Sequence, residues 1–284
     1  MSPRKVTSLL GHRHVEMAVL CLGSLLRASA EPLILRLHDD GSLTAQDRER
    51  LAADLGEPEI ISRREADERV ADLLSGRSAL AAFRRTNPLA LKLIDAVLFA
   101  EEELAYCDTD ILFLRPFSSL FPQGAGAAFM ADRQNAYSVR SWHLLRHHRL
   151  CLPRHVNSGL IHFPIAAWDP GLLEWYLSRP EFAFAPVWVE QTAWALLGEK
   201  AGCRLFDPEQ IRIPEAAERP SEERRTETVA LHFVGPVREL LESWAGQAAA
   251  GDPRTPVEIG RVAAGRCGVV DLAVTEAGRR LGRL

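Results

Sequence analysis

Two aspartates, Asp108 and Asp110, lie one residue apart between two apolar stretches of the sequence. In an extended chain, side chains at positions i and i+2 point to the same side, so both carboxylates can face one divalent cation. A cation held in this way can bind a diphosphate and neutralise the charge on a departing phosphate group. A solvated acidic turn at a strand end is the alternative interpretation, and the surrounding sequence has to decide between the two.

The elements around this pair predict an α/β fold. A strand over Val6–Leu10, a helix over Val15–Arg27 and a strand over Pro32–Leu37 form a strand–helix–strand unit, which is typical of a parallel sheet. Thr44 is a good N-cap for the next helix, with Asp47 three residues on. Periodicity predicts further strands over Glu59–Ser62, up to Cys107, and over Ala127–Met130, Val156–Phe163 and Thr228–Phe233, and further helices over Arg64–Gly76, Pro88–Phe99, Trp168–Ser178, Trp188–Leu197 and Val237–Ala250.

Chain length and turn residues predict one main domain, residues 1–250, and a small C-terminal appendage, residues 251–284. A chain of 284 residues can bury a full hydrophobic core. The turn sequence Gly251-Asp252-Pro253 marks the boundary between the two parts.

Charge and composition exclude several classes of partner. A formal net charge of −4 gives no excess positive field for a nucleic acid backbone. The five cysteines are odd in number and widely scattered, which is typical of reduced core residues in a cytoplasmic protein. No stretch approaches the ~20 apolar residues that a transmembrane helix needs, so any contact with a membrane is expected to be peripheral.

Polar signals follow several predicted strands at their carboxyl ends, which is where open α/β sheets bind ligands. These signals are Asp39-Asp40, the pair Asp108 and Asp110, Asn157-Ser158-Gly159, and His232 with Gly235. Each alone has an ordinary explanation as a turn or a buried polar residue. Their joint occurrence favours one shared site.

The order of these motifs resembles that of the GT-A glycosyltransferases. The resemblance is carried by Leu91-Lys92-Leu93, Leu104 to Ile111, Asn157 to Leu160, Glu190-Gln191 and His232 to Arg238, and it covers about residues 6 to 240. It is strongest to family 8, whose retaining enzymes include glycogenin and bacterial lipopolysaccharide galactosyltransferases. It implies a Rossmann-like, mostly parallel central sheet flanked by helices.

The same resemblance implies a metal site formed by Asp108, Asp110 and His232. The ion in this family is usually Mn²⁺, and an imidazole beside two carboxylates suits Mn²⁺ better than Mg²⁺, which prefers oxygen ligands. For His232 alone, a buried and hydrogen-bonded histidine is the competing interpretation.

The resemblance also implies roles around the donor. Gln191, Glu190 and Asp132 match positions near the transferred sugar, with Gln191 on the face opposite the leaving group. Their alternatives are the exposed first turn of a helix and a surface turn.

Other positions match groups that bind the donor. Asn157 and Ser158 match the lining of the sugar pocket, while Gly235 and Arg238 belong to the motif that contacts the diphosphate. The family usually has an arginine at a position that falls near Ala90 in this sequence. Lys92, or Arg84 and Arg85 before it, would therefore have to supply that diphosphate contact.

One departure concerns the nucleotide base. Family members usually carry an acidic residue just after the first strand, but Leu10-Gly11-His12-Arg13-His14 contains none. The turn Asp39-Asp40-Gly41-Ser42 resembles a turn of the inverting family 2 in which an aspartate contacts the base, and it is equally well explained as a plain turn. Asp39 and Asp40 are therefore candidates for donor binding, and the base stays open.

The sequence thus predicts a metal-dependent glycosyltransferase. It would move a hexose from a nucleotide diphosphate sugar, with a UDP-sugar as the expected donor, to a hydroxyl of a saccharide, lipid-linked or protein acceptor, with retention. A nucleotidyltransferase is one alternative, although the glycine-rich loop that holds a triphosphate is missing after the first strand. A non-catalytic nucleotide-sugar or carbohydrate-binding protein with a relic site is the other.

Overall fold

The computed structural model describes residues 3–220, 228–247 and 255–280. Within these ranges the chain forms a large central sheet of eight strands in the order β13-β9-β7-β8-β4-β1-β2-β3. Six strands run in one direction, while β8 and β13 run opposite to them. The mostly parallel sheet predicted from the sequence is confirmed. Its strands are β1 (Arg4–Leu10), β2 (Leu33–Asp39), β3 (Glu59–Ile61), β4 (Glu103–Cys107), β7 (Ala128–Ala131), β8 (Val156–Pro164), β9 (Arg204–Phe206) and β13 (Arg261–Ala263).

Two smaller sheets flank the central one. The first contains β5 (Ile111–Phe113), β10 (Ile211–Arg212) and β11 (Ala230–His232), and the second pairs β6 (Phe117–Ser118) with β12 (Val257–Glu258). In the first, β5 runs antiparallel to β11, so that Ile111 lies opposite His232. This pairing brings the segment after β4 beside a histidine about 120 residues later in the chain.

Eleven α-helices surround the sheets in the described residues. They are α1 (Val15–Ala28), α2 (Ala45–Leu55), α3 (Arg63–Leu74), α4 (Ser78–Thr86), α5 (Ala90–Leu93), α6 (Asp95–Phe99), α7 (Ser141–Arg146), α8 (Pro170–Leu177), α9 (Val189–Lys200), α10 (Leu241–Ala245) and α11 (Val269–Arg280). Short 3₁₀ helices include His12–His14 and Gly235–Leu240.

Local signals explain the start of α2. The Thr44 side chain accepts a hydrogen bond from the backbone N–H of Asp47, and the Asp47 carboxylate accepts one from the backbone N–H of Thr44. Such a capping box satisfies two helix-end donors, and loss of an N-cap typically costs about 1 kcal/mol. The predicted N-cap is confirmed.

Two predicted helices differ from the structure. The helix predicted over Pro88–Phe99 is divided at Ile94 into α5 and α6. The division lets one short segment bury both its apolar residues and Lys92. The helix predicted over Val237–Ala250 is instead a 3₁₀ turn followed by α10, and its predicted end lies outside the described residues.

The core lies on both faces of the central sheet. On one face, Trp194 of α9 packs against Phe129 and Phe163, with ring centroids 6.1 and 5.4 Å apart. On the other, Leu22 of α1 packs with Leu35 of β2 and their neighbours. Helix α9 is buried along most of its length, so close packing fixes the position of Glu190 and Gln191 in its first turn.

The C-terminal residues contact the main body at two places. Strand β13 pairs with β9 at the edge of the central sheet, and α11 packs against α7. The predicted boundary at residues 250 and 251 lies outside the described residues, so the division into domain and appendage stays a prediction. Among the described residues, no helix combines the length and the apolar character needed to cross a lipid bilayer.

Candidate active site

A cavity of about 810 Å³ opens at the carboxyl ends of β1 and β4. It is lined by twelve of the residues that the sequence suggests for metal, donor and sugar binding, whereas the candidates Asp39, Arg84 and Arg85 lie outside its lining. These twelve are Asp40, Lys92, Asp108, Asp110, Asp132, Asn157, Ser158, Glu190, Gln191, His232, Gly235 and Arg238. Seven separate segments of the chain therefore converge on one cleft.

Asp108, Asp110 and His232 form a three-residue cluster in this cleft. One potential ligand atom from each lies within 4.8 Å of the others. His232 Nε2 is 3.0 Å from Asp110 Oδ1 and 3.9 Å from Asp108 Oδ2. Asp108 follows β4 directly, and the turn into β5 carries Asp110 to the end of β11, where His232 lies.

The potential ligand atoms of this cluster fit a divalent cation. Asp110 Oδ1 and His232 Nε2 are both buried, and apart from their mutual contact at 3.0 Å neither has a polar partner in hydrogen-bonding geometry among the described residues. Buried polar atoms with so few partners gain free energy when a cation occupies their lone pairs. Two carboxylates and one imidazole are a suitable ligand set for Mn²⁺, so the residues present match the ion that the sequence motifs imply.

Charge keeps Asp110 ionised in this cleft. Burial raises the pKa of Asp110, but the His232 imidazole and the Arg238 guanidinium outweigh burial and hold the pKa at about 2. Burial lowers the pKa of His232, and the attraction of Asp110 and Asp108 reverses this effect and raises it. The site therefore keeps a carboxylate ready for a cation.

Gly159 in β8 leaves room for the His232 ring. A Cβ atom at this position would lie 2.4 Å from Cε1 and 2.7 Å from Nδ1 of His232. Carbon and nitrogen atoms cannot approach so closely, so any larger residue would displace the imidazole. The glycine of the Asn-Ser-Gly motif thus serves to place His232.

Lys92 lies beneath Asp108 and is fully buried. Its Nζ donates to both Asp108 oxygens at 3.1 Å and to Ser158 Oγ at 3.3 Å. Burial lowers the pKa of Lys92, but Asp108 and Glu190 raise it above its ordinary value, so the ammonium stays charged. Arg84, the other candidate for a diphosphate contact, is paired with Asp95 and Asp67.

Glu190 lies in the same buried network. It accepts a hydrogen bond from Ser158 Oγ at 2.9 Å, and its Oε1 is 3.8 Å from Lys92 Nζ. Burial raises the pKa of Glu190 to about 7, because the nearby ammonium only partly offsets the loss of hydration. The carboxyl group can therefore exchange a proton near neutral pH.

A second network surrounds Gln191 and Asp132. Gln191 Nε2 donates to the carbonyl oxygen of Ala136 at 2.9 Å and to Asp132 Oδ2 at 3.4 Å. Asn157 Nδ2 donates to the same Asp132 oxygen at 3.2 Å, and burial raises the pKa of Asp132. These amide and carboxyl groups are suited to contact sugar hydroxyls.

Asp39, the last residue of β2, and Asp40, which follows it, have different positions. The Asp39 carboxylate accepts hydrogen bonds from the backbone N–H groups of Gly41 and Leu43 and pairs with Arg48, outside the lining of the cavity. Asp40 lines the cavity, and its Oδ2 would lie 2.1 Å from a Cβ on Gly11. The absence of a side chain at residue 11 therefore lets the Asp40 carboxylate lie at the end of β1.

Arg238 and Gly235 belong to the 3₁₀ turn that follows β11. Gly235 has φ of 58°, a conformation that favours glycine, and it turns the chain back towards the cleft. Arg238, whose side chain is 47% exposed, donates to Asp110 Oδ2 at 2.7 Å. Its remaining donors face an open cleft, where an anionic ligand can bind.

Sequence reasoning missed Tyr106 as a site residue. Its hydroxyl donates to Asp108 Oδ1 at 2.8 Å, and Lys92 Nζ lies 4.7 Å from its ring centroid. Tyr106 is two residues before Asp108, so the alternation of side chains along an extended chain would have placed both on one side. Apolar walls from Leu9, Met17 and Trp188 carried no comparable signal.

Comparison of the sequence with protein-family models and with curated proteins gives no match. Solved structures do match. Mouse xyloside xylosyltransferase 1, in its apo form, superposes with a TM-score of 0.52 at 12% sequence identity, over 91% of this chain and 97% of that chain.

Two further structures superpose with TM-scores below 0.5. The galactosyltransferase LgtC, with donor and acceptor sugar analogues, gives 0.49 at 15% identity, over 88% of this chain and 98% of that chain. Core-mannan synthase A from Aspergillus fumigatus, in its Mn/GDP form, gives 0.48 at 10% identity, over 72% of this chain and 73% of that chain. At such identities the similarity concerns the fold, and the superposition on the xylosyltransferase confirms the prediction from the motifs: this chain has the GT-A fold of the glycosyltransferases.

Proposed function

We propose that this protein is a metal-dependent glycosyltransferase that moves a hexose from a nucleotide diphosphate sugar to an acceptor hydroxyl. The expected donor is a UDP-sugar, and the expected cation is Mn²⁺ or Mg²⁺. The acceptor would be a saccharide, a lipid-linked group or a protein, and the cytoplasm is the expected compartment. Retention of the anomeric configuration follows from the resemblance to family 8.

The observation that carries this proposal is the convergence of Asp108, Asp110 and His232 in the cleft of a GT-A fold. Their potential ligand atoms lie within 4.8 Å of one another, and two of these atoms, Asp110 Oδ1 and His232 Nε2, are buried with no hydrogen-bond partner among the described residues beyond their contact with each other. A cation bound there would supply positive charge to offset the charge that develops on the diphosphate as the glycosidic bond breaks.

The chain's own residues would share the remaining work. Arg238 would donate to the diphosphate from the open side of the cleft, because its guanidinium is half exposed and already directed at Asp110. Lys92 would fix Asp108 and add a buried positive charge beneath the site. Both groups favour a ligand that carries several negative charges.

The sugar would lie over the network of Gln191, Asp132 and Asn157. Polar groups with several free lone pairs and donors recognise hydroxyls by direct hydrogen bonds. In a retaining reaction, Gln191 and an oxygen of the leaving phosphate are the expected participants near the anomeric carbon. Glu190 directly precedes Gln191 in the chain, and its pKa of about 7 allows either protonation state near neutral pH.

The experiment that tests this proposal is a screen of nucleotide sugars with the purified protein. UDP-, GDP- and ADP-sugars are incubated with Mn²⁺, with Mg²⁺ or with a chelator, while thermal unfolding and donor hydrolysis are both measured. Binding to the native state raises the unfolding temperature by mass action, so donor recognition is visible even without an acceptor.

The three outcomes separate the interpretations. Cation-dependent hydrolysis of one donor class supports glycosyl transfer. Turnover of nucleoside triphosphates with sugar phosphates would indicate a nucleotidyltransferase instead. Stabilisation by a nucleotide sugar without any turnover would indicate a binding protein, and absence of any response would contradict the proposed site.

A further inference from the structure

Arg279, near the end of α11, reaches the wall of the cleft from the C-terminal part of the chain. Its guanidinium lies 3.5 Å from the ring centroid of Trp188. It also donates to the carbonyl oxygens of Asn135 and Tyr137, at 3.3 and 3.5 Å. One side chain therefore contacts both segments that lead to the sugar end of the cleft.

The carbonyl groups of Asn135 and Tyr137, which accept from Arg279, lie on either side of the Ala136 carbonyl group in the chain. Asn135 and Tyr137 are the neighbours of Ala136, whose carbonyl oxygen accepts the 2.9 Å hydrogen bond from Gln191 Nε2. The segment 132–137 also carries Asp132 itself. A shift of this segment would therefore move the partner of Gln191 and a second polar group of the site together.

Trp188, the other contact of Arg279, belongs to the second segment that leads to the sugar end of the cleft. It directly precedes α9, which carries Glu190 and Gln191 in its first turn. Thr192 Oγ1 donates to the Trp188 carbonyl oxygen at 2.7 Å and accepts from the Ser138 N–H at 2.8 Å. Arg279 thus contacts two segments of the chain that are also hydrogen-bonded to each other through Thr192.

Helix α11 has its own attachments to the body, so it can serve as a support. Arg154 makes a bidentate ion pair with Asp271 in the first turn of the helix, with the shortest distance 2.7 Å. Glu276 accepts a hydrogen bond from the backbone N–H of Ser141 at the start of α7. Leu272 is buried against the main core.

We propose that Arg279 is a positioning residue for sugar transfer. It fixes the position of segment 132–137 relative to Trp188, so that Gln191 and Asp132 face the sugar. The inference rests on the proposed function, and it assigns a task to the C-terminal helix that the sequence motifs leave without one. An arginine suits this task because its planar group stacks on an indole and donates to two carbonyls at once.

The position of Arg279 predicts a selective effect on catalysis. The cation and diphosphate would be held by residues at the carboxyl ends of β4 and β11, whereas the contacts of Arg279 in the described part of the chain are with Asn135, Tyr137 and Trp188. Loss of Arg279 is therefore expected to lower kcat and to leave donor affinity nearly unchanged. Misplacement of a reacting group by about 1 Å can cost up to about a hundredfold in rate.

The test compares Arg279→Met, Arg279→Lys and the control Arg280→Met. Arg280 carries the same charge on the same helix and is exposed. Hydrogen exchange is measured by mass spectrometry over residues 132–140, with residues 45–55 of α2 as an internal reference. Kinetics are measured with Mn²⁺ and the best donor of the nucleotide-sugar screen, and donor binding is measured by calorimetry.

The expected result has three parts. Arg279→Met exchanges faster over 132–140 alone, its kcat falls about tenfold or more, and its KM and donor Kd stay within about twofold. Arg279→Lys recovers part of the rate, because the ammonium still lies over Trp188. Arg280→Met behaves as the parent protein in every assay.

Several results would overturn the proposal. These are unchanged exchange over 132–140 in Arg279→Met, equal effects of Arg280→Met, faster exchange also in α2, or a loss of rate that follows donor affinity alone. If the parent protein turns over no donor, the proposed function fails separately. The exchange measurement then decides by itself whether Arg279 holds the segment.

Discussion

Two polar clusters contact strand β8 only three residues apart, and each contains a buried histidine. In the cleft cluster, formed by Asp108, Asp110 and His232, the histidine ring packs against Gly159 of β8. In the basal cluster, formed by Arg4, Glu103, His162 and Arg261, the histidine belongs to β8 itself. Strand β4 links them, since it begins at Glu103 and ends just before Asp108.

The basal cluster surrounds the imidazole with protein partners. His162 Nδ1 can accept a hydrogen bond from Arg261 at 2.8 Å. Its Nε2 lies 3.3 Å from Glu103 Oε2, to which it can donate, and 2.8 Å from a nitrogen of Arg4, which pairs with Glu103 at 2.6 Å. Burial and the Arg261 charge lower the pKa of His162 to about 4. The ring is therefore neutral at physiological pH and joins the amino ends of three strands.

The cleft cluster has the opposite character. His232 faces carboxylates, which raise its pKa despite complete burial, and among the described residues the partner of its Nε2 is the Asp110 carboxylate, 3.0 Å away. Burial is the same in both clusters, so burial alone does not mark a functional histidine. Acidic neighbours that converge on one point are the features of the proposed cation site, whereas the arginines and the single carboxylate around His162 suit a cluster that stabilises the fold.

The largest expected contrast comes from Asp110→Asn and Glu103→Gln. Asp110→Asn removes a charged cation ligand, so stabilisation by Mn²⁺ with donor should disappear and transfer should fall at least about a hundredfold. Glu103→Gln should keep the ligand response but lower the free energy of unfolding by about 2 kcal/mol, because Arg4 loses its charged partner. Thermal and urea unfolding, with and without ligand, measure both effects.

Two results would contradict this prediction. A ligand response of Asp110→Asn equal to that of the parent protein would show that the cation is held elsewhere. A lost response in Glu103→Gln would show that the two clusters do not act separately.

Gly159→Ala tests the contact between β8 and His232. The added methyl group would overlap the ring, so the imidazole must move and cation affinity should fall about 10- to 100-fold. Calorimetric titration with Mn²⁺ in the presence of UDP measures this change. Gly246→Ala is the matched control, because a Cβ there meets no atom of the described residues within 4 Å. Unchanged affinity in Gly159→Ala would mean that the ring position is not critical.

The pH dependence of stability tests the basal cluster. The unfolded state binds a proton on His162 near pH 6.5, whereas the native state resists it until about pH 4, so this histidine makes the native state less stable as the pH falls through that interval. Between pH 7 and pH 5 its contribution to the free energy of unfolding should fall by about 2 kcal/mol.

Urea titrations of the parent protein and of His162→Gln at both pH values give the measurement. The glutamine variant cannot titrate, so its stability should fall by about 2 kcal/mol less than that of the parent protein over the same interval. Equal pH dependence in the two proteins would place the pKa of His162 close to its ordinary value.

The smallest expected effect on stability belongs to Arg238→Met. Its ion pair with Asp110 is half exposed, so the ligand-free free energy of unfolding should change by less than about 1 kcal/mol. Affinity for UDP with Mn²⁺ should fall about three- to tenfold, because the diphosphate loses a cationic donor. Arg238→Lys, which keeps the charge, should recover most of it in the same calorimetric titration. Equal affinity in the methionine variant would remove Arg238 from the donor site.

Much of the fold and most of the site follow from local patterns. The alternation around Asp108 and Asp110, the capping box at Thr44 and the strand–helix–strand order each depend on neighbouring residues, so sequence spacing suffices to predict them. The split helix at Ile94 was not predicted in this way, and the burial of Lys92 before it depends on contacts with Asp108 and Ser158, which are distant in the chain. The use of Asp40 and not Asp39 in the cleft depends on the space that Gly11 leaves across two strands.

The sequence by itself determined the kinds of group available and the strand ends that present them. A pair of acids after an apolar strand, and a histidine before a glycine turn, were readable because secondary structure has short and regular periods. Only the tertiary structure decided that His232 and Asp110 approach to 3.0 Å while His162 lies between two arginines. Pairing of strands far apart in the chain sets which charges surround each histidine, and spacing along the sequence does not encode those neighbours.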